Sequence, residues 1–226
     1  MDKYNSSSVE NFIKTIYIFG SRDGWDTKSG AIARELGITN AAATDMARKL
    51  AVKNLIDYEK YKDLKLTNAG EKLAMSVIRK HRLWETFLFQ VLGLSLHEIH
   101  REAEMLEHAT SDFLMDKICQ YLGNPELDPH GDPIPNKEGK LDNYSKYISI
   151  SEARENEIYN VCRLSSSEEE FFDFCNAHKI SPGATIKIRK HYVKNEMTEI
   201  AIGDTVILLN SSLASFIFVE KINTET

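Results

Sequence analysis

With 226 residues, 42% of them hydrophobic and 27% charged, the chain has the balance of a soluble globular protein of two or three compact units. No apolar run approaches the roughly 18 residues of a membrane span, and the opening Met-Asp-Lys-Tyr lacks a basic-then-apolar signal pattern. Cys119, Cys162 and Cys175 are scattered and odd in number, which argues against a disulfide framework or a thiolate zinc site and fits a reducing cytoplasm. The net charge of −6 is unevenly spread: residues 1–74 carry +2, residues 75–140 carry −4 and residues 141–226 carry −4. A nucleic-acid partner would meet the first segment, and a cation the acidic middle.

Residues 7–20 read as a helix, with Ser8 a suitable N-cap and Val9, Phe12, Ile13, Ile16 and Tyr17 at helical spacing. A short helix over 28–37 ends at Gly37, and Thr39 caps the next, over about 40–53. Helix, tight Gly-containing turn and second helix make the helix-turn-helix layout. The alternation over 55–67 suggests two short strands around a turn, the wing of a winged helix. In such a domain the second helix enters the major groove, led by Thr39, Asn40, Ala42, Thr44 and Asp45. Asn and Thr bond base edges, Ala42 can touch a thymine methyl and Asp45 can accept from a cytosine amine. Arg48, Lys49, Lys60, Lys62 and Lys65 suit phosphates, which set register and salt dependence. A three-helix scaffold for protein contacts would show the same pattern.

Residues 68–92 read as a long helix capped near Asn68, 95–109 as a second capped by Ser95, and 111–122 as a third, with Phe113, Leu114, Ile118 and Leu122 at helical spacing. Together they carry more apolar surface than a small winged helix covers, which suits a two-fold interface or burial under the C-terminal part. Five of the seven histidines (81, 97, 100, 108 and 130) lie within one quarter of the chain, four of them in these helices. His81 and Glu85 are one turn apart, as are His100 and Glu104, and Glu104 and His108, with Glu107 between. Two such helices packed antiparallel would close a cage of nitrogen and oxygen donors suited to manganese, iron or zinc. A solvated helix face would also look like this.

Residues 123–146 hold four of the five prolines and read as a linker, in which Asp128 and His130 have donors that could reach back to the cage. From Ile148 onward, short alternating segments with turn signals and a helix around Phe171–Cys175 predict a small β-barrel. No P-loop, Gly-x-Ser-x-Gly or His-Glu-x-x-His motif occurs.

In this order of parts the sequence resembles the diphtheria-toxin-repressor family of metal-dependent transcriptional regulators, both iron-dependent and manganese-transport types. The resemblance runs through nearly the whole chain and is most specific in Glu10-Asn-Phe-Ile-Lys-Thr-Ile-Tyr17, Arg79-Lys-His-Arg-Leu-Trp-Glu85, Glu104-Met-Leu-Glu-His-Ala-Thr-Ser-Asp112 and Asp128-Pro-His-Gly-Asp-Pro-Ile-Pro135. It implies an α+β protein with a winged helix-turn-helix over 1–74, a helical dimerisation and metal-binding domain over 75–140 and an SH3-like, FeoA-like barrel over 147–226. It implies a primary metal site at Asn11, Glu104, Glu107 and His108 and an ancillary site at His81, Glu85 and His100, with Asp128 and His130 as further ligands; His97 has no counterpart. The implied metal is Mn2+, with Fe2+ the alternative and Zn2+, Co2+ or Ni2+ able to substitute in vitro. As corepressor it would order the first helix and set the spacing of recognition helices in a homodimer on a palindromic operator with half-sites about 34 Å apart.

The chain departs from the family pattern in several places. Asn11 stands where Met or Asp is usual, Glu104 where iron-responsive members have Cys, and Lys14 where some manganese regulators have Glu. Arg163 and Ser166 fall where barrel ligands sometimes lie. Two other readings stand beside the repressor: a metal-insensitive regulator of the same fold, suggested by Asn11 and Lys14, and a metallohydrolase using the same cage.

Overall fold

The computed structural model describes residues 7–21, 25–141, 147–166 and 168–222. The chain forms two compact units: Met1–Trp84, Ala103–Tyr121 and Ile134–Asp142 make the first, and Glu85–Glu102, Leu122–Pro133 and Asn143–Thr226 the second.

The first unit opens with α1 (Ser7–Gly20), α2 (Ser29–Glu35) and α3 (Asn40–Val52), followed by a hairpin of β1 (Ile56–Asp57) and β2 (Lys65–Leu66). The turn between α2 and α3 closes as the sequence suggests. Gly37 adopts φ +62°, Ile38 N donates to Ala33 O at 2.9 Å, and the Thr39 hydroxyl accepts from Ala42 N at 3.1 Å. Phe12, Ile13 and Ile16 of α1 share one core with Ile32 and Ala33 of α2 and Ala43, Ala47 and Leu50 of α3. α4 (Asn68–Leu92) starts against this core, with Thr67 capping Gly70 N. Gly70 is needed there, because a Cβ would lie 2.0 Å from the Leu55 carbonyl oxygen.

Several expected boundaries shift. α1 begins at Ser7, so Ser8 lies inside the helix rather than capping it. The wing strands are two residues each, and 58–64 form its tip. α5 (Leu96–Leu106) stops three residues early, leaving Glu107 and His108 in the turn that follows. In α6 (Asp112–Tyr121) the buried residues are Met115, Ile118 and Cys119, whereas Phe113 and Leu114 are 72% and 45% exposed. Helical spacing identified an apolar stripe in α6 but could not say which side packs. The end of the expected linker is no loose tether where it is described. Pro135 O accepts from Arg79 at 2.7 Å, Asn136 Oδ1 accepts from Glu138 N and Lys140 N, and Lys137 pairs with Asp116 at 2.9 Å. Residues 142–146 lie outside the described residues.

The second unit is dominated by a six-stranded antiparallel sheet: β3 (Ile148–Ser149), β4 (Ile158–Leu164), β5 (Thr185–Tyr192), β6 (Met197–Ile202), β7 (Thr205–Asn210) and β8 (Ile217–Lys221), in the order β3-β8-β4-β5-β6-β7. Tyr159, Val161, Leu164, Ile186, Ile188, Ile200, Ile207, Leu209, Ile217 and Val219 turn one face of the sheet into a single core. Phe171, Phe172 and Cys175 of α7 (Glu169–Ala177) and Ala214 of α8 (Ser211–Ser215) complete it. Bulges interrupt β4 at Val161/Arg163 and β5 at Ile188/Lys190, the usual device for curving a small barrel-type sheet.

The loop before the sheet docks at the β4 bulge. Leu164 N donates to His130 O at 2.8 Å, and a Cβ on Gly131, at φ +89°, would fall 1.8 Å from Cys162 O. Alanine at Gly70 or at Gly131 should therefore cost about 1–3 kcal/mol, read as a lower denaturation midpoint of the affected unit. An unchanged midpoint would show that the backbone yields at no cost.

Candidate metal centre and DNA-reading helix

α1 presents two faces. At 100° per residue, Phe12, Ile16 and Phe19 point one way, into the three-helix core, and Glu10, Asn11 and Lys14 the other. Glu10 and Lys14 are nonetheless buried, at 4% and 7% exposure. Charged side chains at such depth need partners, and the end of α5 with the turn after it supplies them. Lys14 Nζ lies 2.5 Å from Glu104 Oε1 and 2.7 Å from Glu107 Oε1. Glu107, 1% exposed, also holds His81 Nδ1 at 2.6 Å through its other oxygen. His108 Nδ1 is hydrogen-bonded to Glu10 Oε2, and its Nε2 lies 3.3 Å from Glu107 Oε1.

The first unit thus gathers four of the expected site residues, His81, Glu104, Glu107 and His108, and adds Glu10 and Lys14 as partners, while Asn11 follows Glu10 on α1 with its amide oxygen buried. Glu10 gave no sequence signal, because a glutamate in a first helical turn ordinarily complements the helix dipole at the surface. Lys14 is noticeable in sequence only as a replacement, and its partners lie some ninety residues away.

The donors fit a divalent ion. Ligand atoms of Glu104, Glu107 and His108 lie within 4.8 Å of one another, and Asn11 Oδ1 and His108 Nε2 are buried without a hydrogen bond. Two carboxylates, an imidazole and an amide oxygen form a hard-to-borderline donor set. Lys14 is the group foreign to it.

The second unit holds another titratable cluster. Glu85, 2% exposed at its side chain, receives His100 Nδ1 at 3.1 Å and His130 Nε2 at 3.5 Å on one oxygen. Burial works against a charged His130, but the Glu85 carboxylate and the nearby Asp128 and Asp132 outweigh it and raise the imidazole's pKa. Asp128 itself shapes the loop: its Oδ1 accepts from His130 N and Asp132 N, each at 2.9 Å. Arg163 pairs with Asp132 at 2.9 Å, and His97 lies 3.6 Å from Glu169. Cys175 is no thiolate donor at neutral pH, because burial pushes its thiol up to about 12.

On α3, Thr39, Asn40, Ala42, Asp45, Arg48 and Lys49 are exposed, and Thr44 is half-buried with its hydroxyl donating back to Asn40 O at 2.8 Å. Lys49 pairs with Asp45 at 2.6 Å, so one contact would have to open for either to meet DNA. At the wing tip, Lys62 pairs with Glu59, and Lys60 lies over the ring of Tyr61, which is 82% exposed. Tyr61 is an exposed aromatic that the alternation pattern did not single out.

Residues 5–64 match the N-terminal DNA-binding domain of the iron-dependent repressors, 67–136 their metal-binding and dimerisation domain, and 148–221 a FeoA domain. An HTH-type transcriptional regulator of Methanocaldococcus jannaschii is 34% identical over 117 residues, 52% of this chain and 94% of that one. The chain belongs to the iron-dependent repressor family. The iron-dependent repressor IdeR of Mycobacterium tuberculosis is 32% identical over 128 residues, 57% of this chain but only 55% of that protein's length. Among solved structures, a manganese-dependent transcriptional repressor in complex with manganese superposes with a TM-score of 0.88 at 30% identity, over 95% of this chain and all of that one. ScaR with bound Zn2+ does so at 0.79 and 31%, over 95% and 99%. The family is one of DNA-binding transcriptional repressors that respond to divalent metals, not of enzymes, which sets the metallohydrolase reading aside.

Glu107→Ala should destabilise the metal-stripped protein by about 3–5 kcal/mol, because it deprives His81 and one side of Lys14 of their buried counter-charge. Chemical denaturation in EDTA measures this. A loss below about 1 kcal/mol, the value of an exposed pair, would mean that the cluster is hydrated.

Proposed function

We propose that this protein is a homodimeric, cytoplasmic repressor of metal-uptake genes that binds a palindromic operator more tightly when a divalent cation is bound. The observation that carries the reading is the position of α1. One helix meets the donor group Glu104, Glu107 and His108 through Glu10 and Lys14, on the face that also carries Asn11, and lends Phe12, Ile13 and Ile16 to the core that holds the reading helix α3. A divalent cation held by Glu104, Glu107 and His108, with Asn11 as a further donor, would tie α1 to the end of α5 and the turn after it. Fixing α1 fixes α3, since the two share packed side chains and cannot shift independently. Glu85, His100 and His130 are the donors assigned to a second ion, with His81 and Asp128 supporting the two sites through Glu107 and through the loop backbone.

Manganese is the assigned metal, with iron(II) the alternative. The donors are oxygen and imidazole nitrogen, without sulfur, and the architecture matches a manganese-bound repressor over its full length. Zn2+, Co2+ and Ni2+ rank higher in raw affinity, so binding in vitro does not identify the physiological ion. The apolar face of α6 and its approach suits a second copy: Met105, Phe113 and Tyr121 are 61%, 72% and 71% exposed. A regulator of this fold indifferent to metal is the second reading, and the Lys14 ion pairs are what favours it.

Operator fragments selected from a random-sequence DNA pool test the reading. Mn(II) should strengthen binding by about 5- to 150-fold, the range of ordinary allosteric couplings, and His108→Ala should abolish the increment without unfolding the protein. Asn40→Ala should relax base preference, whereas Arg48→Ala should weaken all sequences alike and flatten the salt slope. Phe113→Glu should yield a monomer by light scattering and lose tight operator binding. Operator affinity unchanged by chelator would establish the metal-indifferent regulator instead.

A further inference from the structure

Lys14 does more than replace a ligand. Its ammonium lies 2.5 Å and 2.7 Å from two of the carboxylates that would hold the metal, and it is itself buried. We propose that Lys14 is a tethered cation that occupies the primary site, holding α1 against the end of α5 and the turn after it without metal, and that a divalent ion enters by displacing it.

The argument begins with charge. Glu10, Glu104 and Glu107 bring three carboxylates together, and the Lys14 ammonium is bonded to two of them, Glu104 and Glu107, while Glu10 holds His108. Without it, Glu107 would face solvent-poor surroundings with the imidazoles of His81 and His108 in place of a fixed charge. The lysine therefore offsets part of the negative charge that would otherwise be left to a metal ion. A dication cannot share the same carboxylate oxygens at these distances without strong like-charge repulsion from the ammonium. Lys14 must swing out, and its flexible four-carbon stem allows this without moving α1.

Asn11, one turn earlier, follows the same logic. Its amide oxygen is buried and unpartnered, so it contributes a donor without adding a fourth negative charge that the lysine would have to balance. The pair Asn11 and Lys14 shifts the site toward occupancy by the chain's own cation. The metal threshold is then set by competition within the protein rather than by donor chemistry alone. The proposal rests on the assignment of Glu104, Glu107 and His108 as the primary cage.

The test uses full-length protein and Mn(II) itself. Loss of the free-Mn(II) paramagnetic resonance signal on titration gives affinity, and hydrogen exchange of residues 7–20 in EDTA reports whether α1 stays docked. The wild type should hold α1 protected in EDTA. Lys14→Met, which keeps the stem and removes the charge, should bind one equivalent of Mn(II) at least tenfold more tightly. It should exchange α1 at least tenfold faster in EDTA and regain protection when Mn(II) is added. Lys14→Arg, which keeps the charge, should retain both weak metal binding and protection in EDTA. Equal Mn(II) affinity in wild type and Lys14→Met overturns the tethered cation while leaving the cage intact. No Mn(II) binding by either overturns the cage and the proposal together. An unprotected α1 in wild-type EDTA samples overturns it without reference to any variant.

Discussion

The first unit depends on a buried ionic cluster that joins α1 to the turn after α5. Glu107 is almost wholly enclosed and makes contact with Lys14, His81 and His108. A carboxylate at that depth is tolerable only while its partners stay in place, because removing one partner leaves a charge without water or counter-ion. α1 therefore cannot drift away from the 104–108 turn on the strength of weak surface contacts alone. Leaving would strand Glu10 and Lys14 as well as Glu107, each of which is buried.

That constraint matters because α1 is buried on opposite sides for different reasons. Phe12, Ile13 and Ile16 belong to the apolar core that also contains Ala43, Ala47 and Leu50 of the reading helix. Glu10 and Lys14 belong to the charged cluster. A close-packed core transmits displacement because its side chains have few alternative arrangements. Coupling between the ionic site and α3 thus needs no long pathway: it crosses the width of one helix. The helix-turn-helix is held to the same core by the Thr39 cap and the positive-φ turn at Gly37, so the reading surface moves as a body with α1.

How much of this was legible in the sequence depended on whether the deciding contact was local. Gly37, Thr39 and the helical spacing of Ala43, Ala47 and Leu50 fixed the reading domain, because caps and turns are local chemistry. The His/Glu spacing marked the cage for the same reason, although α5 ends at Leu106 and so places Glu107 and His108 in a turn rather than on a helical stripe. The role of Glu10 was hidden, since its partner is 98 residues away. The side on which α6 packs was also hidden, because Phe113 and Met115 are both apolar and only tertiary structure selects between them. The loop at Asp128–Asp132 was visible as a motif, but its use of Asp128 as a backbone acceptor follows from the docking of Gly131 against Cys162, which no local pattern encodes.

The two titratable clusters solve the problem of buried charge differently. In the second unit Glu85 lies between two imidazoles, with the Asp128 and Asp132 carboxylates near one of them. In the first unit the carboxylates outnumber any neutralisation that His81 and His108 could provide, and a permanent cation is built in at Lys14. One ammonium against the carboxylates of Glu10, Glu104 and Glu107 still leaves the cluster short of positive charge. A cation of higher charge answers that shortage better than a single ammonium does, because attraction grows with the product of the charges. That is the preference a metal-responsive regulator needs if it is to answer to a dication.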